Sequence, residues 1–369
     1  MFMKTRVVVG MSGGVDSSVV ACRLLQLGYE VIGITMKLWP EACQNRVEER
    51  CCGPQAVADA RAVAQHLGIP HYVVDEQANF QKRVIDYFVA EYRAGRTPNP
   101  CVLCNEELKF GTLLEKARSI GAEYVATGHY AILERGDRVC VRKGRDEKKD
   151  QSYFLFSLSQ PQLACALFPM GDVTKQETRA IAVQLGLKVA TKEESQEICF
   201  VADDYRRFLR SAGVAEHAGD IVDTAGRLLG RHPGVEFFTV GQRRGLGIAT
   251  GRPFYVVALD AAHNRIIVGD DVALVSAECV VERCNWVSIT APDGPREASV
   301  KIRSQHRGSA ATIEPLDGGA RVRVRFAEPE RAVTPGQAAV FYDGDLMLGG
   351  GWITQTTPPR SSPVTPHSS

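Results

Sequence analysis

The chain has no apolar run approaching the roughly 20 residues needed to cross a bilayer, which excludes a helical membrane protein. It also has almost no excess charge: 44 Lys+Arg against 43 Asp+Glu give a formal net charge of +1. No global field marks it as a nucleic-acid binder, so any such surface must be a local patch. The start, MFMKTRVVVG, has too short an apolar run for a signal peptide and leads straight into a strand-like segment. No internal repeat or low-complexity block is present before the Pro/Ser-rich end, TTPPRSSPVTPHSS, which has the composition of a disordered tail. Nor does the Gly-rich loop near the start continue into G-K-[ST], so a Walker lysine is absent. These absences predict a soluble cytoplasmic protein with no membrane partner.

What is present begins with 11 cysteines, an odd number spread over 369 residues. Cytosolic thiols stay reduced, so a disulfide framework is not expected. Cys22 and Cys165, in apolar helical surroundings, read as small buried hydrophobes. Cys51 and Cys52 read as incidental, and Cys43, Cys140, Cys279 and Cys284 receive no role. Two others stand apart. In TPNPCVLCN, Cys101 and Cys104 form a C-x-x-C pair behind a proline-stiffened loop. Such a pair can hold zinc, exchange a disulfide, ligate an iron–sulfur cluster or carry sulfur.

Apolar strand-like runs alternate with helical patterns up to about residue 200. RVVVG, EVIGITM, HYVVD and YVATGHY read as strands. DSSVVACRLLQLG, FQKRVIDYFVAEYRAG and ELKFGTLLEKARSIG read as helices, and AVADARAVAQHLG sets Val57, Ala60, Ala64 and Leu67 on one helical face. This alternation predicts an α/β fold with a parallel sheet covered on both faces. From about Gly219 short β-type runs dominate, among them PFYVVALD, RIIVG, VRVRF and AAVFYDG, which predict two small β-rich modules.

VVVGMSGGVDSS sets a Gly/Ser loop between a strand and a helix. Gly13 and Gly14 let the backbone approach a ligand, and the helix start offers free N–H groups and a positive dipole end, which suit phosphates. Ser12, Ser17 and Ser18 add hydroxyls. The stretch resembles the PP-loop of ATP pyrophosphatases, which split ATP into AMP and pyrophosphate. That implies adenylation of a substrate, after which a nucleophile displaces AMP. The helix pattern beginning near Glu107 sets Cys104 close to a helix start, where the dipole favours thiolate, with Lys109 nearby. Cys199, in ESQEICFV, is a third candidate thiol.

Taken together, GMSGGVDSS, MKLW, GRTPNPCVLCN, ATGHY, KDQSYFLF, SQEICFV, TVGQRRGLGI and TPGQAAVFY resemble the tRNA-specific 2-thiouridylase family, in family order from about residue 10 to about residue 342. The resemblance implies a Rossmann-like PP-loop domain over 1–205, a small central β-rich domain over 206–275, a tRNA-contacting β-barrel over 276–356 and a tail over 357–369. It implies ATP with Mg2+ on Gly10, Met11, Ser12, Gly13, Gly14, Val15, Asp16, Ser17 and Ser18, with Met36 and Gly128 at the adenosine. Asn99, Pro100 and Cys101 fall where the family meets the target base, Cys104 matches the nucleophile, and Cys199 matches the persulfide carrier. His129, Lys149, Asp150, Gln151, Arg303, Ser304 and Gln337 match tRNA-contacting positions.

The implied reaction is ATP-dependent 2-thiolation of the wobble uridine of tRNA. Its sulfur would come from a cysteine desulfurase or a sulfur-relay protein. The TPNP loop and the segment before Cys199 are expected to close over the flipped base. Many family members carry aspartate where this chain has Cys101. With three thiols at one site, a [4Fe–4S] cluster on Cys101, Cys104 and Cys199 is an alternative sulfur route. A PP-loop ligase or amidotransferase acting on a small molecule is an alternative function, and it would leave the cysteines without a role.

Overall fold

A computed structural model describes residues 4–38, 53–192, 198–201, 204–248 and 253–357. In its first part the strands are β1 (Arg6–Gly10), β2 (Glu30–Lys37), β3 (His71–Asp75), β4 (Tyr124–Ala126), β5 (Ala131–Glu134), β6 (Cys140–Lys143) and β7 (Ala166–Leu167). Five of them form a sheet in the order β3-β2-β1-β4-β7, and every pairing in it is parallel. Val7, Val8 and Val9 of β1 are completely buried, as a central strand covered on both faces requires. From β1 the chain winds outward through β2 to β3, then returns to the other side of β1 to make β4. That reversal leaves a crevice outside the carboxyl ends of β1 and β4, the ordinary ligand position of an open α/β sheet.

Helices cover the sheet: α1 (Val15–Gln26) and α2 (Pro54–Leu67), then α3 over 77–93 and α4 over 100–119. The buried face of α2 is Ala56, Ala60, Val63 and Ala64. The expected face is thus shifted, with Val57 and Leu67 only half-buried. Both α3 and α4 contain a π-helical stretch, Gln81–Ile85 and Cys104–Thr112 respectively. α4 starts at Pro100, seven residues before the apolar periodicity suggests. Proline suits the first helical position because its missing N–H would be unpaired there anyway.

A second sheet, in the order β10-β11-β8-β9, is built from β8 (Gly219–Asp223), β9 (Leu228–His232), β10 (Tyr255–Asp260) and β11 (Arg265–Gly269). Its Ile221, Val256, Ile266 and Val268 share one apolar cluster with Phe80 and Phe88 of α3 and with Phe200. Phe88 meets Phe200 edge-on at 4.9 Å, and Phe200 meets Phe208 at 5.1 Å. The residue next to Cys199 is therefore held in an aromatic core, and Cys199 packs partly against it.

The last strands are β12 (Val275–Trp286), β13 (Arg296–Lys301), β14 (Ser309–Leu316), β15 (Arg321–Arg331), β16 (Ala338–Asp343) and β17 (Leu346–Thr357). They pair in the order β12-β15-β14-β13-β16-β17, and β12 pairs with β17 to close a barrel. β17 also pairs with β6, so the hairpin β5–β6 of the first part extends the barrel's sheet. Tyr153, Leu155 and Phe156 pack with Val340, Tyr342 and Trp352 in the same core, which joins barrel to sheet. Tyr342 shares a hydrogen bond of 3.0 Å with Ser152, and Lys301 faces Asp150 at 3.6 Å, both side chains almost fully buried. The tail beyond 357, Cys43, Cys51, Cys52 and the segment 193–197 lie outside the described residues.

Phe88 is fully buried at the centre of the cluster that seats Phe200. Phe88→Ala should cost about 3–5 kcal/mol and lower the thermal midpoint by several degrees in a calorimetric scan. Phe88→Leu should recover most of the loss; an unchanged midpoint for the alanine variant would contradict the packing described.

Candidate active site

β1 ends at Gly10 and α1 begins at Val15, so the segment 11–14 turns at the crevice. Gly13 has φ +68°, and a Cβ there would collide with the backbone carbonyl of Ala56. Only glycine satisfies both the left-handed conformation and the close approach of α2. Gly14 caps α1 without a side-chain hydrogen bond, so the first N–H groups of α1 remain available to an anion. Ser17 Oγ accepts from Ser12 N–H at 3.2 Å, and Ser18 Oγ donates to Gly14 O at 2.7 Å. Thr35 on β2 donates to Met11 O at 2.8 Å and ties the loop to the sheet.

Asp16, in the first turn of α1, is gripped from outside the loop. Lys175 Nζ donates to both of its carboxylate oxygens at 2.7 and 2.8 Å, and Tyr130 Oη donates to Oδ1 at 2.8 Å. Lys175 opens the helix α5 (Lys175–Gln184), whose start is fixed by a Thr174/Glu177 capping box. Lys192 Nζ donates to Gly13 O at 3.1 Å and pairs with Asp59 at 2.6 Å. Lys175, Tyr130 and Lys192 were not singled out from the sequence. Only the capping-box pattern T-K-Q-E marks Lys175, and it locates a helix start without revealing the long-range partner.

A cavity of about 340 Å3 runs from this loop to the thiols. Gly10, Met11, Ser12, Asp16 and Ser17 line it together with Met36 of β2 and Gly128 at the end of β4. Pro100, Cys101, Cys104 and Lys109 of α4 line it too, as do Ile198, Cys199 and Phe200. In an α-helix residues five apart diverge by about 140°. The π-helical i→i+5 pattern beginning at Cys104 instead draws Cys104 and Lys109 toward one face. Lys109 Nζ is oriented by Asn105 Oδ1 at 2.9 Å, and Asn105 in turn donates to Phe154 O at 3.0 Å. Cys104 sits in the second turn of α4 and Cys101 in its first, so Cys101 is the one nearer the helix terminus.

His129 and Gln151 also line the cavity. His129 is buried, its Nδ1 lies 2.7 Å from Thr127 Oγ1, and desolvation followed by the nearby Lys109 charge holds its pKa well below 6.5. Gln151 Oε1 accepts from Tyr130 N–H at 3.1 Å. Asn99 precedes α4 and is buried. The carboxylate of Asp150 is buried against Lys301, Lys149 beside it is half-buried, and Arg303 and Ser304 occupy the β13–β14 connection, with Arg303 exposed. Gln337 stands on the turn before β16 and donates to the carbonyls of Thr97 and Pro98. Gly13 and Gly14 of the loop, and Val15 and Ser18 in the first turn of α1, do not line the cavity.

Burial raises the Cys279 and Cys284 thiols to about 12, so both stay protonated and inert. Cys101, Cys104 and Cys199 share the cavity. Yet among the described residues no group of three or more His, Cys, Asp or Glu side chains is arranged to hold a metal ion. No helix among the described residues is long and apolar enough to cross a membrane.

A parallel sheet with a glycine/serine anion loop at its switch point, opening onto thiols, defines a PP-loop α/β protein with two appended β modules. Family models agree along the chain. A tRNA methyl transferase HUP domain matches residues 5–203, a tRNA methyl transferase PRC-barrel domain 206–270, and an aminomethyltransferase β-barrel domain 276–353. The tRNA-specific 2-thiouridylase MnmA of Geotalea uraniireducens is 52% identical over 358 residues, 95% of each chain. Its counterpart in Heliobacterium modesticaldum is 49% identical over 360 residues, 96% of this chain and 93% of that one. The chain belongs to the tRNA-specific 2-thiouridylase family. Among solved structures, a 4-thiouridine synthetase–RNA complex with bound ATP matches at 16% identity and a TM-score of 0.36, covering 56% of this chain and 50% of that one.

Burial lowers the pKa of four histidines: His71, His129, His232 and His306. The folded state disfavours their charged forms, so the unfolded chain binds more protons once pH falls below the ordinary value of about 6.5. Stability is therefore complete above pH 6.5 and declines below it. Thermal midpoints measured between pH 7.5 and 5.5, above most carboxylate titrations, should fall toward the acid end; a flat profile would contradict the burial of these rings.

Proposed function

We propose that this protein is an ATP-dependent tRNA-uridine 2-sulfurtransferase acting on the wobble uridine. The observation that carries this is the single cavity shared by the glycine/serine loop and by Cys104 and Cys199. Sulfur carriage and nucleotide activation are joined there. A small-molecule PP-loop ligase gives the thiols no role.

In this reading ATP lies with its phosphates on the loop and the N-terminus of α1, and with its adenosine toward Met36 and Gly128. Asp16 has both oxygens engaged by Lys175, so the loop offers no free carboxylate cage, and Mg2+ fits as an ion carried on the phosphates with most of its waters. It would supply charge neutralisation for the departing pyrophosphate. The target uridine enters flipped, over Asn99, Pro100 and Cys101. Its O2 attacks the α-phosphorus, the α–β bridging bond breaks, and pyrophosphate leaves. The terminal sulfur of a Cys199 persulfide attacks C2, and AMP departs carrying the former O2. Cys104 thiolate, next to Lys109, then attacks Cys199 Sγ and frees the 2-thiouridine. A Cys104–Cys199 disulfide remains, which an external thiol reopens. The persulfide comes from a cysteine desulfurase or a relay protein. Lys149, Arg303 and Ser304 are assigned to the tRNA backbone, where a local basic patch suffices on a protein with no net field.

The test uses iron-free protein with Mg-ATP, unmodified tRNA and a persulfide donor. Nucleoside mass spectrometry should show 2-thiouridine with the wild type and none with Cys104→Ser or Cys199→Ser. tRNA-dependent pyrophosphate release should survive in both variants for at least one turnover. Cys101→Asp should retain thiolation, since in this reading Cys104 and Cys199 alone carry the sulfur. Full activity in either serine variant, or product only after iron is restored, would overturn the reading.

A further inference from the structure

The turn Thr334–Pro335–Gly336–Gln337 belongs to the barrel, yet its partners belong to the catalytic domain. Proline followed by a glycine at φ +90° is the signature of a type II turn, closed here by Gln337 N–H donating to Thr334 O at 3.2 Å. The turn lies against the loop that leads into α4. Thr97 N–H donates to Pro335 O at 2.9 Å. The Gln337 amide nitrogen donates to that loop, lying 3.1 Å from Thr97 O and 3.2 Å from Pro98 O. A Cβ on Gly336 would come within 2.8 Å of Thr97 N and Thr97 O, so the two backbones are in direct contact. One residue on, Ala338 O accepts from Tyr153 Oη at 3.0 Å. Pro100 and Cys101, which open α4, line the cavity.

We infer that Gln337 is a positioning residue, and that the 334–337 turn is a brace by which the barrel holds the 96–100 loop over the reactive cavity. The inference rests on the sulfurtransferase reading for its catalytic consequence, but the contact itself does not. It gives the barrel a second duty besides meeting RNA, which is to set the geometry of the residues assigned to the target base. Misplacing that loop by about an ångström lowers turnover by tenfold to a hundredfold, on the order of what such errors cost elsewhere. It leaves ground-state binding of tRNA and ATP largely as it was.

The experiment compares wild type, Gln337→Met and Gly336→Ala. Each is assayed for single-turnover thiolation rate, for tRNA affinity at several salt concentrations, and for hydrogen exchange in peptides covering 96–104 and 338–353. The brace predicts a thiolation rate roughly 10–100-fold lower in both variants, unchanged tRNA affinity and salt slope, and faster exchange confined to 96–104. Gly336→Ala is informative because it removes no group able to touch RNA. If Gln337 instead contacted RNA, Gln337→Met would weaken tRNA binding, leave the rate intact at saturation and spare Gly336→Ala; that pattern overturns the inference, as does no change in either variant. Should both variants fail to fold, wild-type exchange decides: Thr97 amide protection equal to that of β16 supports the brace, and free exchange refutes it. A wild type that forms no 2-thiouridine would sink the functional reading, and the brace would then be judged on exchange alone.

Discussion

The crevice at the carboxyl ends of β1 and β4 is the constraint around which the molecule is arranged. It exists because the chain winds one way from β1 to β3 and then crosses back to lay β4 on the other side. Everything that enters this gap must tolerate close backbone approach, hence the glycine at position 13 with α2 pressed against it. The start of α1 points its unpaired N–H groups at the same gap, so an anion is favoured there before any cationic side chain is considered. The two lysines beside the loop are engaged by carboxylates, Lys175 by Asp16 and Lys192 by Asp59. What the loop itself presents to the gap is backbone and hydroxyl groups, with Lys175 and Tyr130 holding Asp16 in place.

The thiols reach this crevice from two directions, and each approach has its own support. Cys104 arrives on α4, where the change from α to π turns aims it and Lys109 at the same space. Cys199 arrives on a short segment whose neighbour Phe200 is locked among Phe80, Phe88 and Phe208. The central sheet contributes to that aromatic core, and the barrel turn holds the loop before α4. The two β modules thus act on the site through the cysteine-bearing segments. This division suits chemistry in which an activated base must be shielded from water while two sulfur atoms keep access to it.

How much of this was legible in the sequence depends on the range over which the signal acts. The anion loop is local: strand, S-G-G-x-D-S and helix are contiguous, and they appear as read. The α/β alternation is local too. α4 begins at Pro100 rather than near Glu107 because its first turns bury Pro100 and Val102 with few other apolar positions, so periodicity undercounts it; proline as a helix-starting residue was the available clue. The π turns leave no periodic mark. The pairing of β6 with β17 joins residues some 200 positions apart, and neither strand alone shows it. Lys175 and Gln337 have ordinary local settings, and their roles come entirely from partners more than 150 positions away.

The central claim is that this cavity makes a uridine oxygen leave as part of AMP before sulfur takes its place. The most direct measurement is isotope transfer: tRNA carrying 18O at O2 of the target uridine, Mg-ATP, a persulfide donor and the wild-type protein, with AMP, pyrophosphate and water analysed by mass spectrometry after one turnover. The account predicts that AMP gains one 18O for each 2-thiouridine formed. Thiolated tRNA accompanied by unlabelled AMP, with the label in pyrophosphate or water, would contradict it.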